Sequence, residues 1–196
     1  MGAPFTDPPD QLGCVVPDLE PAIAEWASRG VGPFLVMKNV VLTGFTYEGH
    51  PSKPKAHIGF SQQGETQIEL IQPVGDAASG YRDFLAAGHS GEHHHGWFCE
   101  DYDAELAAAA NAGRTVMQSG HWGAVRFAYH HPLEGEQLYG ELIEMNELSH
   151  RVFDLIRDEA ERWDGTRPSR SMIAAADWGL RWAAVKVEIG ARLRRG

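Results

Sequence analysis

The sequence predicts an α+β protein of two tandem βαβββ modules that form a cup-shaped mixed sheet, followed by a C-terminal helical extension. Three observations predict it. The phrase "QIELIQP" at 67–73 returns as "GELIEMN" at 140–146, each a short apolar run with one carboxylate, Glu69 or Glu141, at the same place. A strand-and-helix phrase beginning at Gln11 returns at His94, and Gln11 stands as far before Asp18 as His94 does before Asp101. Runs rich in β-branched and aromatic residues then follow each helix. Self-similarity of this kind marks one supersecondary unit used twice.

In chain order, "QLGCVV" from Gln11 reads as a short strand, and "PDLEPAIAEWASRG" as a helix that Asp18 caps and Gly30 ends. Ala22, Ile23 and Trp26 supply its apolar face. The runs "FLVMKNVVLTGF", "KAHIGFS" and "TQIELIQ" read as the three strands that complete the first module, over 8–75. "SGYRDFLAAGHSG" places Tyr81, Phe84 and Leu85 on one helical turn and reads as a connector. "HHGWFCEDYDAELAAAANAGR" repeats the opening plan, with Asp101 as cap and Gly113 as stop. "RTVMQSG", "AVRFAYHH" and "YGELIEM" complete the second module, so that connector and module together span 76–147.

Residues 148–196 exceed the repeat. "ELSHRVFDLIRDEAERW" has Val152, Leu155, Ile156 and Trp163 near helical spacing, and "WDGTRPSR" breaks it with turn chemistry. A last stripe of Trp178, Trp182, Val185, Ile189 and Leu193 runs among Arg181, Lys186, Arg192, Arg194 and Arg195. Such a helix suits packing on its own domain or on a partner subunit better than resting on a membrane surface. Nothing in the extension has a catalytic pattern, and a place over the cavity mouth is expected for it.

Composition limits the partners. A net charge of −10 argues against nucleic acid, whose phosphates need a basic face. The opening "MGAPFTDPPD" lacks the basic and apolar regions of a secretory signal, and no run of about 18 apolar residues could span a membrane. A soluble cytoplasmic protein is expected. Cys14 and Cys99 lie in apolar runs and are expected to be buried, reduced thiols.

Strand parity bears on the repeated carboxylate. Alternate side chains face opposite ways, so Leu12, Cys14 and Val16 share the helix side, and Gln11 looks away from it. By the same parity Glu69, His94 and Glu141 project from the non-helix face, while Glu144 points away from Glu141. His93 and His95 then belong to the helix side, as packing residues. Two carboxylates converging in an interior repel each other and lose solvation unless a cation holds them. One imidazole, two carboxylates and one amide oxygen suit Zn²⁺, Ni²⁺, Co²⁺, Mn²⁺ or Mg²⁺, with open coordination positions left for water or substrate.

The paired βαβββ plan, the "VPDLE" turn, the strand starts at Gln11 and His94 and the "IEL" and "GELIE" strands resemble the vicinal oxygen chelate superfamily over residues 8–147. That superfamily includes glyoxalase I, methylmalonyl-CoA epimerase, extradiol dioxygenases and the fosfomycin and bleomycin resistance proteins. "YRDFLAAGHSGEHHHGWFCEDYD" and "YHHPLEGEQLYGELIE" look most like the epimerase and small glyoxalase-like branch. The resemblance implies metal ligands at Gln11, Glu69, His94 and Glu141; Gln at the first position departs from the epimerases and resembles eukaryotic-type glyoxalase I. A ring-cleaving oxygenase would need two histidines and one carboxylate, which this set lacks.

The implied function is lyase, isomerase or epimerase chemistry on a small molecule, by proton abstraction beside a carbonyl with a metal-stabilised enolate. A CoA thioester or a thiol-adduct aldehyde is the substrate by analogy. Glu141 and Glu69 would move the proton, and Glu48, in "TYEGHPSKPKAH", is the counterpart of a further glutamate that epimerases use. Small members of the family commonly pair modules across a dimer, so a homodimer is expected. The alternative is a metal-free protein of the same fold that sequesters a drug or aromatic ligand in a groove lined by Trp97, Trp122 and Tyr139. His57, His121, His130 and His131 could reach the cavity rim, although no spacing marks them.

Overall fold

A computed structural model describes residues 5–176. The first half runs β1 (Gln11–Val15), α1 (Leu19–Ser28), β2 (Phe34–Val41), β3 (Thr43–Tyr47), β4 (His50–Pro51), β5 (Lys55–Gln63) and β6 (Thr66–Val74). A connecting helix, α2 (Gly80–Ala86), leads to β7 (Gly91–Cys99), α3 (Tyr102–Asn111), β8 (Val116–Trp122), β9 (Val125–His130) and β10 (Tyr139–Glu144). The extension supplies α4 (Glu147–Glu161), β11 (Ser169–Ser171) and α5 (Met172–Ala175). The Trp178–Leu193 stripe lies outside the described residues. Among those residues, no helix is long and apolar enough to cross a membrane.

All the strands among the described residues join one mixed sheet in the order β11-β2-β5-β6-β1-β7-β10-β9-β8-β3-β4. The two expected units are visible in it as β1-α1-β2-β5-β6 and β7-α3-β8-β9-β10. Their first strands, β1 and β7, meet antiparallel at the centre. Each last strand lies parallel on the outer side of its own first strand, β6 on β1 and β10 on β7. The halves are therefore related by an approximate two-fold between β1 and β7.

Local chemistry sets the helix starts. The Asp18 side chain accepts from the Glu20 N–H and that of Asp101 from the Ala104 N–H, satisfying donors that a helix start leaves open. On one face of the sheet, Leu19 and Ile23 of α1 cover Cys14, Val16, Ile68 and Leu70. Tyr102 and Ala109 of α3 cover the matching Cys99, Ala128 and Leu142. Both thiols are free, and burial pushes each up to about 12. The opposite, concave face carries the larger apolar cluster, including Val15, Phe60, Ile71, Phe127, Tyr129 and Ile143.

One expected strand divides. "FLVMKNVVLTGF" contains both β2 and β3, separated at Leu42, and the two pair with different neighbours. A register shift between Met37 and Val40, with Asn39 in left-handed backbone (φ 56°), distorts β2 where it pairs with β5. Beyond Leu42, β3 crosses to the second half and pairs antiparallel with β8. A bulge bends its strand and strengthens the twist; pairing resumes at Val40 and Val41 and ends opposite Lys55, where β5 begins.

The extension closes over the concave face. Asn146 and Ser149 form a reciprocal cap directly after β10, so α4 starts at a fixed angle. Val152, Phe153 and Ile156 are buried in the concave-face cluster, with Leu155 packed against it. The chain then returns as β11, which adds to β2 in parallel.

Candidate metal centre

The four residues singled out by parity fall on the four central strands, and register brings them together. Across β6, β1, β7 and β10, one row reads Gln67, Gln11, Gly96, Glu141 and the next reads Glu69, Gly13, His94, Tyr139. Each row has a glycine between two polar groups. A Cβ on Gly13 would lie 1.8 Å from Cε1 and 2.0 Å from Nε2 of His94, so the ring occupies the space that a side chain would take. A Cβ on Gly96 would lie 3.0 Å from Gln11 Oε1. The approximate two-fold exchanges Gly13 with Gly96, Glu69 with Glu141, and His94 with Gln11. Backbone hydrogen bonding thus places the groups, and the glycines let them converge.

One ligand atom from each of Glu69, His94 and Glu141 lies within 4.8 Å of the others. Nε2 of His94 is 3.3 Å from Oε2 of Glu69 and 3.1 Å from Oε2 of Glu141. His94 is fully buried, and none of Gln11, Glu69 and Glu141 is more than 7% exposed. Gln11 Nε2 donates to Gln67 Oε1 at 2.7 Å, which leaves Gln11 Oε1 buried and without a hydrogen-bond partner. Oε2 of Glu141 also lacks an aligned hydrogen bond, despite its proximity to His94.

The electrostatics of this group are unbalanced. Burial raises the Glu141 pKa against the lowering effect of His94. Burial works to lower that of His94, but the charge of Glu141 and the closeness of both carboxylates outweigh it and push it up to about 9. A protonated imidazole still offsets only one of two carboxylate charges. Among the described residues, no lysine or arginine lines the cavity these groups face. A divalent cation would balance both carboxylates and give the orphaned oxygens of Gln11 and Glu141 a partner. The donor set, one imidazole nitrogen and three oxygens, fits such an ion.

His93 departs from the parity expectation. Gly13 pairs with His94 but Cys14 pairs with Glu92, so His93 is an extra residue in β7. This bulge puts its ring among Tyr81, Phe84, Tyr129 and Tyr139 rather than under α3. Its Nδ1 lies 3.1 Å from Nδ1 of His94. Only one of those nitrogens can carry the shared proton, so the two tautomers are tied together. His95 stays on the other side, near Trp97.

Two tyrosines that sequence reasoning did not connect to the site belong to it. Tyr81 Oη donates to Tyr129 Oη at 3.0 Å, and the latter is 3.5 Å from Nε2 of His94. Burial, followed by the charge of Glu141, holds both phenols well above their ordinary value. The available signal was alternation in "AVRFAYHH", which puts Val125, Phe127 and Tyr129 on one face, with Tyr129 directly opposite Glu141.

Glu48 is not brought to the group. It sits in the β3–β4 turn with left-handed backbone (φ 46°), and its carboxylate pairs with His131 at 3.1 Å, half exposed. The crossing of β3 to β8 carries this turn toward the second half's β8–β9 edge. Of the aromatic residues expected to line a groove, Trp122 lines the cavity. Trp97, which donates from Nε1 to Asp7 O, and Tyr139, tilted against His93 and His131, line a separate pocket instead. None of His57, His121, His130 and His131 is among the described lining residues. The cavity measures about 40 Å³, and Phe153 of α4 forms part of its wall.

A family model described as the Glyoxalase/Bleomycin resistance protein/Dioxygenase superfamily matches residues 10–129, which include Gln11, Glu69 and His94. No curated protein matches the chain in sequence. Among solved structures, methylmalonyl-CoA epimerase from Mycobacterium tuberculosis is similar at TM-score 0.55 and 18% identity, over 76% of this chain and 96% of that one. A hypothetical protein from Bacillus halodurans is similar at TM-score 0.51 and 19% identity, over 72% of this chain and 96% of that one. At such identities the likeness is one of fold.

Proposed function

Because this chain belongs to the Glyoxalase/Bleomycin resistance protein/Dioxygenase superfamily, we propose that it is a divalent-metal-dependent lyase, isomerase or epimerase that moves a proton beside a carbonyl. The observation that carries this reading is the convergence of Glu69, His94 and Glu141 at a cavity that Gln11, Glu69 and Glu141 line. A bound cation would act there as a Lewis acid, polarising the carbonyl and acidifying the adjacent C–H.

The chain's own groups divide the remaining work. Glu141, whose pKa burial raises, is suited to take and return the proton, because a base closer to neutrality transfers it in both directions. Glu69 is its two-fold counterpart, so a carboxylate approaches from each half of the cup. That arrangement suits removal of a proton on one side and its return on the other. The Tyr81–Tyr129 pair can donate a hydrogen bond to developing negative charge on the substrate oxygen. Glu48 has no part in this scheme. All four proposed ligands come from one polypeptide, so the reaction does not depend on the homodimer expected from family habit.

The test is elemental analysis of purified protein, followed by deuterium exchange into a panel of 2-oxo compounds and acyl thioesters. Exchange at the α-carbon, lost on chelation and restored by one divalent ion, is the expected result. Exchange that persists after thorough metal removal overturns the proposal. Tight binding of an aromatic ligand with neither metal nor exchange would transfer the reading to sequestration.

A further inference from the structure

We propose that Phe153, delivered by the C-terminal extension, sets the substrate class of this site: a compact carbonyl compound with a small apolar substituent, in preference to a coenzyme A thioester. The inference rests on the metal-dependent reading above and deepens it. Its premise is size. A cavity of about 40 Å³ has room for about three waters, whereas pockets for drug-sized ligands measure roughly 300–1,000 Å³.

The wall is chemically specific as well as close. Beyond Gln11, Glu69, Glu141 and the two tyrosines, the described lining is apolar, with Ile58, Phe60, Ile71, Trp122, Phe127 and Phe153 prominent. No lysine or arginine among the described lining residues could meet the phosphates of a nucleotide-bearing thioester. The polar groups cluster at one place, and the rest of the surface rewards an alkyl or small aryl group.

Phe153 is fixed rather than loosely placed. Its ring stacks on Phe98 of β7 with centroids 4.6 Å apart. The N-terminus of α4 is tied to β10 by the Asn146–Ser149 cap, and the Ser149 hydroxyl donates to Glu144 O at 3.1 Å. Beyond the other end, β11 adds to β2 and Arg170 pairs with Glu159 at 2.7 Å. Between these anchors α4 packs on β5 and β2. The helix also follows β10, the last strand of the second repeated unit, so this wall is an addition to the two units.

The experiment titrates the zinc-loaded full-length protein calorimetrically with acetohydroxamate and with 4-phenylbenzohydroxamate, which present the same two oxygens on bodies of different size. The wild type is expected to favour the small compound by at least about tenfold, and Phe153→Ala to erase that preference. Equal affinities in the wild type, or a preference unchanged by the substitution, overturn the inference. Phe153→Leu gives the same comparison in a milder form should Phe153→Ala not fold.

Failure to take up any of zinc, nickel, cobalt, manganese and magnesium would overturn the metal-dependent reading instead, and the wall can then be tested without metal. Benzene is expected to raise the melting temperature of Phe153→Ala and not that of the wild type, as it does for other apolar cavities opened by truncation. Absence of that difference overturns the role of Phe153.

Discussion

The Cβ that Gly13 lacks would sit 1.8 Å from Cε1 of His94, so the histidine ring is seated in the side-chain space of the residue paired with it across the β1–β7 ladder. Gly13→Ala is therefore expected to expel the ring. We expect a stability loss of about 1–3 kcal/mol from overpacking, read as a lower melting temperature, and a fall in zinc affinity of roughly 10- to 100-fold. Gly96→Ala should be milder, because its added methyl would be 3.0 Å from the end of the Gln11 side chain. Equal tolerance of both alanines would contradict the packing argument.

His93 is expected to act as a positioning residue for His94. Nε2 of His94 faces the carboxylates, and a metal held there would leave Nδ1–H to donate to Nδ1 of His93, 3.1 Å away. His93→Leu should weaken zinc binding by about 10- to 100-fold, the usual effect of losing an outer partner. His93→Gln, which restores an acceptor, should recover part of it. Nitrogen NMR of His94 would show loss of a single tautomer in the leucine variant alone.

Glu48→Gln is expected to leave zinc uptake and α-proton exchange close to wild type. The Glu48–His131 pair is half exposed, and such pairs contribute about 0–1 kcal/mol. A large loss of exchange with metal binding intact would return Glu48 to the reacting centre.

Acid stability should report His130. Burial, with a smaller effect of Arg114, pulls its pKa from 6.5 to about 4, so the folded protein holds that proton less tightly than the unfolded chain. Stability from this group is present above about pH 6.5 and is lost as pH falls toward 4, by up to about 3 kcal/mol. His130→Phe should flatten the pH dependence of the melting temperature between those values. An unchanged slope would show that other groups govern it.

Both cysteines should resist labelling. Burial raises Cys14 and Cys99 to about 12, and the thiolate is the reactive form. A disulfide-based thiol reagent at neutral pH is expected to react with neither in the native protein and with both after denaturation. Rapid native labelling of either one would mean that its helix opens readily.

The repeat, the helix caps at Asp18 and Asp101, and the shared face of Gln11, Glu69, His94 and Glu141 were all legible in the chain, because each depends on local rules. Capping involves neighbours a few residues apart, and strand alternation has a period of two wherever the strand is regular. Convergence is another matter. Glu69 and His94 meet because β6, β1 and β7 hydrogen-bond in one particular register, and Gly13 leaves the gap between them. The extra residue at His93 broke the alternation that parity relies on, and the crossing of β3 to β8 set Glu48 beside His131. Phe153 belonged to no motif, and only the return of α4 over β5 made it a wall of the cavity. Periodicity assigns a side chain to a face; what shares that face with it is decided by long-range pairing, whose energy is spread over residues far apart in sequence.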